Sequence, residues 1–425
     1  MLSARSVKEH SGIDDEQNNL LVCPQKNIKT LKFAVIYGAN ASGKSNLIKC
    51  VAHMREGVLR SVLDEKYFER LSQNIFCLDE GASQEPSLFE ITFLEEGNQY
   101  RYGFEFYNAK VISEWLFKRA DNSTRESYCF VRENNEIKVN SRQFRGAKGL
   151  SSKTRQNALF ISICSQFNVS DAMVVKEWFR KKLNIISGDY HNILNYTAFQ
   201  FQQNESMRKM ILAMMTHFDT GIKSIDIKES NLDSSTVVPI QIKKIMQILA
   251  PDSDTEKIKK LDIFTHHEKF KAQIISGTQT LPFEKESEGT QILFSLSGPL
   301  LETIRSGGTL FVDEFGANFH TQLSIELIKI FQSQINNSAQ LIVASHDTTF
   351  LRKELLRRDQ IWFTEKDNYG ATDLYSLVEY RINRENSVRN DASFGKDYLQ
   401  GKYGAIPYFG NLREFTEEFL NDKFE

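Results

Sequence analysis

Long apolar segments and paired cysteines are both missing from this chain of 425 residues. No apolar run reaches the ~18–20 residues that a bilayer-spanning helix needs, and the first 16 residues lack the apolar core of a secretion signal. The five cysteines are scattered and form no C-x-x-C pair: Cys23, Cys50, Cys77, Cys129 and Cys164. This usage argues against a disulfide framework and a structural zinc site, so we expect a cytoplasmic protein with no membrane association.

Positive and negative residues nearly balance, since the formal net charge is -2. Such a balance argues against nucleic-acid binding over the whole surface, but it leaves a local basic patch open. Residues 137–157 contain no carboxylate and carry six cations: Lys138, Arg142, Arg145, Lys148, Lys153 and Arg155. These side chains could contact nucleic-acid phosphates. The alternative is a solvated basic loop.

Hydrophobic residues make up 40% of the chain, enough for a sizeable core. The apolar run Leu31–Tyr37 predicts a buried strand, and the spacing from Ser45 to about Arg60 predicts a helix. Short alternating runs over 87–133, separated by turn signals, predict an antiparallel meander. The spacing from about 171 to 260 is mostly helical, and from 281 onward strands and helices alternate.

These patterns predict an α/β protein in three parts. The first, residues 1–133, is an N-terminal lobe with the meander. Residues 134–280 form a compact, mainly helical insertion, and residues 281–425 form a C-terminal lobe. We expect the two lobes to build one mixed central sheet, with the insertion as a separate lid.

A glycine-rich motif follows the first predicted strand. Residues 38–45 fit G-x-x-x-x-G-K-[ST] and lie between the strand and the helix that this motif requires. Its backbone N–H groups would cradle phosphate oxygens, Lys44 would reach the β- and γ-phosphates, and Ser45 would ligate Mg²⁺. The alternative is an ordinary glycine-rich turn. The candidate ATP-binding residues are Gly38, Asn40, Ala41, Ser42, Gly43, Lys44, Ser45 and Asn46.

Two later strands each end in chemically active side chains. Residues 309–314 are an apolar strand that ends in Asp313 and Glu314. Asp313 would hold Mg²⁺, and Glu314 would polarise the attacking water as a general base. Residues 341–347 are another apolar strand with His346 at its tip, where it could contact the γ-phosphate. A solvated acidic turn and a structural histidine are the alternatives.

A third motif begins a helix. Ser287, Gly289 and Gln291 precede the helical run from Ile292. A small hydroxyl residue and a glycine at a helix start form an anion site, although a simple helix N-cap gives the same pattern. The position of the motif, about 25 residues before the acidic strand, favours the anion site.

Together these elements resemble the ABC-ATPase heads of the SMC, RecF and OLD-nuclease group. The motif sequences are more similar still to those of small bacterial AAA-labelled ATPases of phage defence, the RloA/AbiL-like branch. The resemblance lies in IYGANASGKSNL at 36–47, ESEGTQ at 286–291, RRDQIWFTEKD at 357–367 and YLQGKYGAIP at 398–407. Residues 315–320, FGANFH, occupy the place of the D-loop in those heads.

The resemblance implies a homodimer, or a higher homo-oligomer built from such dimers, that closes around two ATP molecules. In such heads, Ser-x-Gly-x-Gln of one protomer covers the ATP of the other, and Ser287, Gly289 and Gln291 match that signature. About 240 residues separate the phosphate loop from the signature, far fewer than a long coiled coil requires at about 1.5 Å per residue. The glutamine loop is not placed: Gln73 and Gln143 are candidates by residue type only.

The branch resemblance implies a sensor ATPase of an anti-phage, abortive-infection system. The 79 residues after His346 leave little room for a nuclease domain, so we expect a separately encoded effector such as a Toprim-like nuclease. Members of the branch usually have an edge strand before the segment that corresponds to the region beginning here at Met1. We expect this strand either to be absent or to be encoded upstream, from an earlier start codon. The alternatives are a RecF/SMC-like DNA-binding repair ATPase and, less favoured, a transporter subunit.

Three further features have both a functional and an ordinary interpretation. Asp252 and Asp254 are spaced like a nuclease metal pair, but a turn or helix cap is the simpler account. His266 and His267 have no third ligand at metal spacing, so we expect surface residues. Tyr37 precedes the phosphate loop and lies either near the nucleotide or buried in its strand.

Overall fold

The computed structural model describes residues 19–23, 28–121, 123–188, 190–231, 259–317, 319–382, 386–387, 393–407 and 416. They form two compact units. The first unit comprises the described residues within Met1–Gly188, Thr303–Ala317 and Ser324–Glu425, and the second those within Asp189–Glu302 and Asn318–Leu323.

Both units contain strands and helices. The strands are β1 (Leu20–Cys23), β2 (Ile28–Leu31), β3 (Phe33–Gly38), β4 (Ser87–Glu95), β5 (Asn98–Tyr107), β6 (Lys110–Arg119), β7 (Ser127–Glu133), β8 (Glu136–Val139), β9 (Leu183–Ile186), β10 (Ile222–Asn231), β11 (Lys259–Lys271), β12 (Ile274–Pro282), β13 (Thr309–Val312), β14 (Gln340–Ala344), β15 (Ile361–Lys366), β16 (Thr372–Ser376), β17 (Arg381–Ile382) and β18 (Asn386–Ser387). The α-helices are α1 (Lys44–Arg60), α2 (Tyr67–Leu71), α3 (Phe160–Gln166), α4 (Ser170–Glu177), α5 (His191–Gln203), α6 (Glu205–His217), α7 (Glu288–Ser306), α8 (Thr321–Gln332) and α9 (Phe394–Leu399). None of the helices among the described residues is long and apolar enough to cross a membrane.

A six-stranded sheet forms the centre of the first unit, in the order β16-β15-β3-β14-β13-β9. The five strands from β15 to β9 are parallel, and β16 pairs antiparallel with β15 at the edge. Every residue of β3 is buried, as expected for a strand covered on both faces. The predicted α/β class with a mixed central sheet is therefore confirmed. Because β3, β14 and β13 are adjacent and parallel, their carboxyl ends meet at one edge.

The predicted meander is present and longer than expected. Strands β4 to β8 form one antiparallel sheet in sequence order. Its last strand, β8, turns back on β7 and pairs Val139 with Phe130. The first unit continues from there to Gly188, beyond residue 133, where the sequence predicts the end of the N-terminal lobe.

The meander packs on helix α1 and on the helices that follow it. One continuous buried cluster contains Met54 and Val58 of α1, aromatic residues of β4 and β5, and Trp178 and Phe179 after α4. Phe93 stacks on Trp178 with ring centroids 4.0 Å apart. Burial of these large rings is the main stabilising contribution in this part of the unit, and it holds α1 by its inner face.

A fully buried carboxylate joins the meander to α3. Glu114 on β6 accepts hydrogen bonds from the backbone N–H groups of Phe160 (2.6 Å) and Ile161 (3.0 Å) and from the Tyr102 hydroxyl (3.0 Å). The guanidinium of Arg132 lies 3.7 Å from the same carboxylate. Burying a charged group costs free energy unless hydrogen bonds and an opposite charge compensate for it. Loss of one partner of Glu114 would therefore destabilise the remaining contacts of this group.

The second unit contains more strand than expected. Helices α5 and α6 are followed by the three-stranded antiparallel sheet β10-β11-β12. This sheet lies in a region for which the sequence analysis predicts mainly helix, and the unit begins at residue 189 rather than 134. The predicted helical run at 241–249 lies outside the described residues.

Helix α7 contains a proline in its interior, Pro299. Proline has no N–H, so the carbonyl of Ser295, one turn earlier, lacks its usual helical donor. The fully buried Thr197 on α5 supplies the donor instead, since its hydroxyl lies 2.6 Å from that carbonyl oxygen. Gly298 permits this approach, because a Cβ there would lie 2.4 Å from the Thr197 Oγ1.

Candidate nucleotide-binding site

The glycine-rich loop runs from β3 into α1, as its motif requires. Ser42 N–H donates to the Ala39 carbonyl at 3.2 Å, which closes a tight turn. Ala41 and Gly43 both have positive φ, 61° and 108°, so the loop alternates between left- and right-handed backbone. This alternation directs successive N–H groups to one side and forms an anion-binding concavity at the helix N-terminus.

Two threonines from the sheet edge clamp the loop, and neither is among the residues predicted from the sequence. Thr364 on β15 shares a hydrogen bond with the Ser42 hydroxyl at 2.7 Å. Thr372 on β16 donates to the Ser42 carbonyl at 2.9 Å. A Cβ at Gly43 would lie 2.3 Å from the Thr372 Oγ1, so only glycine fits there. The loop is therefore preformed by its neighbours.

Lys44 is buried beneath the loop. Its ammonium donates to the carbonyls of Gly38 at 2.8 Å and Ala39 at 2.9 Å. Burial lowers the pKa of Lys44, while the carboxylates of Asp313 and Glu314 act in the opposite direction. The cation thus lies close enough to both carboxylates to interact with them, at the mouth of the loop.

Asp313 and Glu314 follow the end of β13. Strand β14 lies between β13 and β3, the strand that leads into the loop. Asp313 is buried, and its Oδ1 accepts a hydrogen bond from the Glu314 N–H at 3.1 Å. Glu314 is exposed and has a positive φ of 55°. A non-glycine residue in this conformation costs free energy, and such strain is concentrated at functional sites. The two carboxylates consequently differ in environment, one enclosed and one facing solvent.

His346 follows β14, and the main chain around it is held in place. Tyr37, fully buried in β3, donates through its hydroxyl to the carbonyl of Asp347 at 2.8 Å. Strand burial is therefore the better account of Tyr37. Burial lowers the pKa of His346, and the Lys44 cation lowers it further, against the opposing effect of Glu314 and Asp313. The imidazole is accordingly neutral at pH 7.

One cavity of about 380 Å³ brings these residues together. It is lined by Asn40, Ala41, Ser42, Gly43, Lys44, Ser45, Asn46, Asp313, Glu314, Ala344, His346 and Lys366. Gly38 ends β3 directly beneath it, as the acceptor of Lys44. The Ser45 hydroxyl and the Asp313 carboxylate supply oxygen donors of the type that Mg²⁺ prefers, so the residues present fit that ion. Lys366 was not among the predicted residues, although its place at the end of an apolar strand was a usable signal.

The signature residues lie elsewhere, in the second unit. Ser287 N-caps α7, since its hydroxyl accepts from the Thr290 N–H at 3.2 Å. The Gln291 side chain donates to the carbonyl of Glu286 at 2.9 Å. Gly289 lies in the first turn of the same helix. The structure thus shows the N-cap, and it does not place Ser287, Gly289 or Gln291 among the residues that line the cavity.

The remaining candidates are placed as follows. Asp252 and Asp254 lie outside the described residues. His266 and His267 are more enclosed than surface residues and pair with carboxylates, at 3.0 Å from Asp226 and 2.7 Å from Glu286 respectively. Among the described residues no group of three or more His, Cys, Asp or Glu side chains is arranged to hold a metal ion.

The basic stretch is exposed at all six cations. Arg155 forms an ion pair with Glu65, and Lys153 lies 4.6 Å from the ring centroid of Phe167. Such exposed cations can contact phosphate groups without a change in fold.

Comparison with known proteins gives one family. The family model described as "AAA domain, putative AbiEii toxin, Type IV TA system" matches residues 33–352, more than half of the chain. The matched range contains the glycine-rich loop, the acidic strand end and the histidine. No curated protein matches the chain in sequence.

Three solved structures are similar at low identity. An SMC head bound to the C-terminal winged-helix domain of ScpA is 12% identical with a TM-score of 0.38, covering 82% of this chain and 92% of that one. The SMC head with an extended coiled coil from Pyrococcus furiosus, bound to the C-terminal domain of ScpA, is 11% identical with a TM-score of 0.34, covering 84% and 94%. The SMC head domain from Thermotoga maritima is 13% identical with a TM-score of 0.33, covering 80% and 89%. TM-scores this low carry no conclusion about function.

Proposed function

This chain belongs to the AAA-domain family whose model it matches, and from that premise we propose that it binds ATP with Mg²⁺ and hydrolyses it. One observation carries the proposal. A single cavity collects the phosphate loop, Lys44, two carboxylates of different exposure and a neutral histidine. This combination of side chains at the carboxyl edge of a parallel sheet is the one that binding and hydrolysis of a nucleoside triphosphate require.

Each residue of the cavity has a distinct task in this proposal. Lys44 exchanges the carbonyls of Gly38 and Ala39 for β- and γ-phosphate oxygens. The Ser45 hydroxyl and the Asp313 carboxylate hold Mg²⁺, which supplies charge neutralisation of the phosphates when bound.

The hydrolytic step uses the exposed carboxylate. Glu314 accepts a proton from the water whose oxygen bonds to the γ-phosphorus, while the bond from that phosphorus to the bridging oxygen breaks and ADP leaves. His346, neutral at pH 7, donates a hydrogen bond to the γ-phosphate. The products are ADP and phosphate.

The test compares Lys44→Ala and Glu314→Gln with a matched control, Glu133→Gln. Glu133 is exposed at the end of the meander strand β7 and does not line the cavity. We expect Lys44→Ala to lose ATP affinity, and Glu314→Gln to keep it while hydrolysis slows by about 100-fold or more. The control should match the wild type in both. Wild-type turnover in Glu314→Gln, or normal affinity in Lys44→Ala measured by calorimetry, would refute the assignment.

We further propose that the active form is a homodimer in which Ser287, Gly289 and Gln291 of one protomer cover the ATP of the other. Two observations support this. The first turn of α7 presents backbone N–H groups at a helix N-terminus, and the cavity is lined by residues of the first unit alone among those described. A two-fold dimer would then enclose two nucleotides by self-complementary contacts.

Mixing two inactive variants tests the dimer. Lys44→Ala chains cannot hold ATP, and Ser287→Arg chains have a blocked signature. A mixed dimer retains one site with an intact loop and an intact signature, so ATPase activity should return. Activity in Ser287→Arg alone would contradict the role of the signature. The mixed dimers should be isolated through two different affinity tags, one on each variant. If isolated mixed dimers show no ATPase activity, one intact composite site is not sufficient for hydrolysis.

The biological role that we propose is regulation of an abortive-infection response in the cytoplasm, through a separately encoded effector such as a Toprim-like nuclease. The description of the matching family, which names AbiEii and a type IV toxin–antitoxin system, supports this role, as does the branch resemblance in four stretches of the sequence. Protection of phage-challenged cells by the wild type with its neighbouring gene, and loss of protection with Lys44→Ala, is the expected result. Equal protection by both would count against it.

A RecF/SMC-like DNA-binding ATPase is the second candidate, and the exposed basic stretch at 138–155 favours it. Binding through phosphate contacts would weaken steeply with salt. Replacing Arg142, Arg145 and Lys148 by glutamine should then lower both DNA affinity and its salt dependence. No ATP-dependent DNA binding by the wild type would remove this candidate.

A further inference from the structure

Lys366 is a second lysine of the nucleotide cavity, on the side of the loop opposite the acidic strand. It is the last residue of β15, which pairs in parallel with the loop strand β3 and places Thr364 beside Gly38. The carboxyl end of β15 therefore extends along the loop itself, and Lys366 lines the same cavity as Lys44.

The alternation of side chains along β15 directs Lys366 toward the loop. Residues two apart in a strand share one face. Thr364 faces the loop, because its hydroxyl contacts that of Ser42 at 2.7 Å. Thr372, directly opposite Lys366 on β16, faces the loop as well and bonds the Ser42 carbonyl. Lys366 stands in this row, directly across from Thr372 and two residues beyond Thr364.

The residue between them faces the other way and provides an internal contrast. The Glu365 carboxylate accepts hydrogen bonds from the Tyr375 hydroxyl at 3.2 Å and from the Ala405 N–H at 3.2 Å. Glu365 therefore supports the sheet edge, whereas Lys366 is exposed within the cavity. Its long flexible stem allows the ammonium to reach a ligand as a point charge.

We propose that Lys366 binds the polyphosphate of the nucleotide directly, as a second cation beside Lys44. This inference rests on the proposed function, because it assigns a further binding residue to the same site. A nucleoside triphosphate brings several negative charges into a cavity that already contains Asp313 and Glu314. Lys44 at the start of α1 and Lys366 at the end of β15 both supply positive charge to this cavity, and charge-assisted contacts of this kind are the stronger hydrogen bonds.

The test measures binding by calorimetry with ATP, ADP and AMP in the presence of Mg²⁺ for the full chain. The variants are Lys366→Gln, Lys366→Arg and Lys366→Glu, and the matched control is Lys110→Gln, an exposed lysine at the start of β6 that does not line the cavity. Loss of one charge-assisted contact should raise the Kd for ATP and ADP about tenfold in Lys366→Gln. Lys366→Arg should stay within about twofold, and Lys366→Glu should weaken binding further than Lys366→Gln.

The pattern across ligands and variants decides the outcome. AMP should lose less affinity than ATP, and the salt dependence of ATP binding should fall in Lys366→Gln but not in Lys110→Gln. Equal Kd values for ATP in Lys366→Gln and Lys110→Gln would overturn the inference. A wild type that binds no ATP would refute the proposed function itself, so the two failures are distinguishable.

Discussion

The hydrogen bond from Thr197 to the Ser295 carbonyl yields a prediction about stability that two substitutions at one position can isolate. Thr197→Ser and Thr197→Ala both remove the side-chain methyl group, but only the alanine variant also removes the hydroxyl. The difference between the two therefore reports the hydroxyl alone. Its partner carbonyl has no helical donor, because Pro299 lacks an N–H.

The magnitude follows from burial. Thr197 is 0% exposed and its hydrogen bond is 2.6 Å long, so water does not replace the lost donor. A buried acceptor left without a partner costs about 1–3 kcal/mol. We expect the alanine variant to be less stable than the serine variant by that amount.

The proline provides a second arm for this experiment. Pro299→Ala restores the backbone N–H one turn after Ser295, so the carbonyl regains a helical donor. In that background the difference between Thr197→Ala and Thr197→Ser should shrink to under about 1 kcal/mol. Urea unfolding followed by circular dichroism measures all of these variants. An unchanged difference in the Pro299→Ala background would refute the reasoning, as would equal stability of the serine and alanine variants at Thr197.

Three further predictions concern other parts of the chain. Glu114→Gln places an amide against the backbone donors at the start of α3 and leaves the buried cation of Arg132 without its counter-charge. It should lower the free energy of unfolding, measured in urea, by about 3–5 kcal/mol. A loss under about 1 kcal/mol would contradict this. Because burial and the Lys44 cation lower the pKa of His346, its imidazole should stay neutral to a more acidic pH than an ordinary histidine in the nucleotide-free protein, as an NMR titration of the ring would measure; a ring that protonates above about pH 6.5 would contradict this. If a separately encoded effector carries the nuclease activity, as we propose, the purified chain should not cleave DNA with Mg²⁺ or Mn²⁺; metal-dependent cleavage that survives repurification and is lost in Asp252→Asn would contradict this.

Local patterns predicted the elements that build the cavity. The apolar run before the glycine-rich loop became β3, and the helix expected from Ser45 begins one residue earlier, at Lys44. The acidic pair and His346 follow β13 and β14, as the short apolar runs indicated. These predictions succeed because each depends on a few consecutive residues. The parallel arrangement that joins them follows from the usual handedness and burial of such strands.

The features that were missed depend on distant residues or on weak patterns. Nothing near the loop reveals that Thr364 and Thr372 clamp it, since the contact spans more than 300 positions. Strand β12 is exposed along nearly its whole length, so it lacks the alternation by which a half-buried strand is recognised. The charged strand β11 likewise carries no clear apolar face in its sequence. The stretch RRDQIWFTEKD at 357–367 contains Lys366, but the resemblance of this stretch assigns no role to a single lysine at the end of the strand.

The order of strands in the central sheet has a consequence for synthesis on the ribosome. Strand β3 is fully buried, yet both of its neighbours, β14 and β15, emerge far later, and the hydrogen bond from Gln360 to the Phe33 carbonyl spans 327 positions. At about 5–20 residues per second, the nascent chain exposes this apolar strand for tens of seconds before its partners are made. A ribosome that stalls before residue 361 would present a phosphate loop without its clamp, so the nascent chain has a long period of aggregation risk, during which chaperones would be most needed.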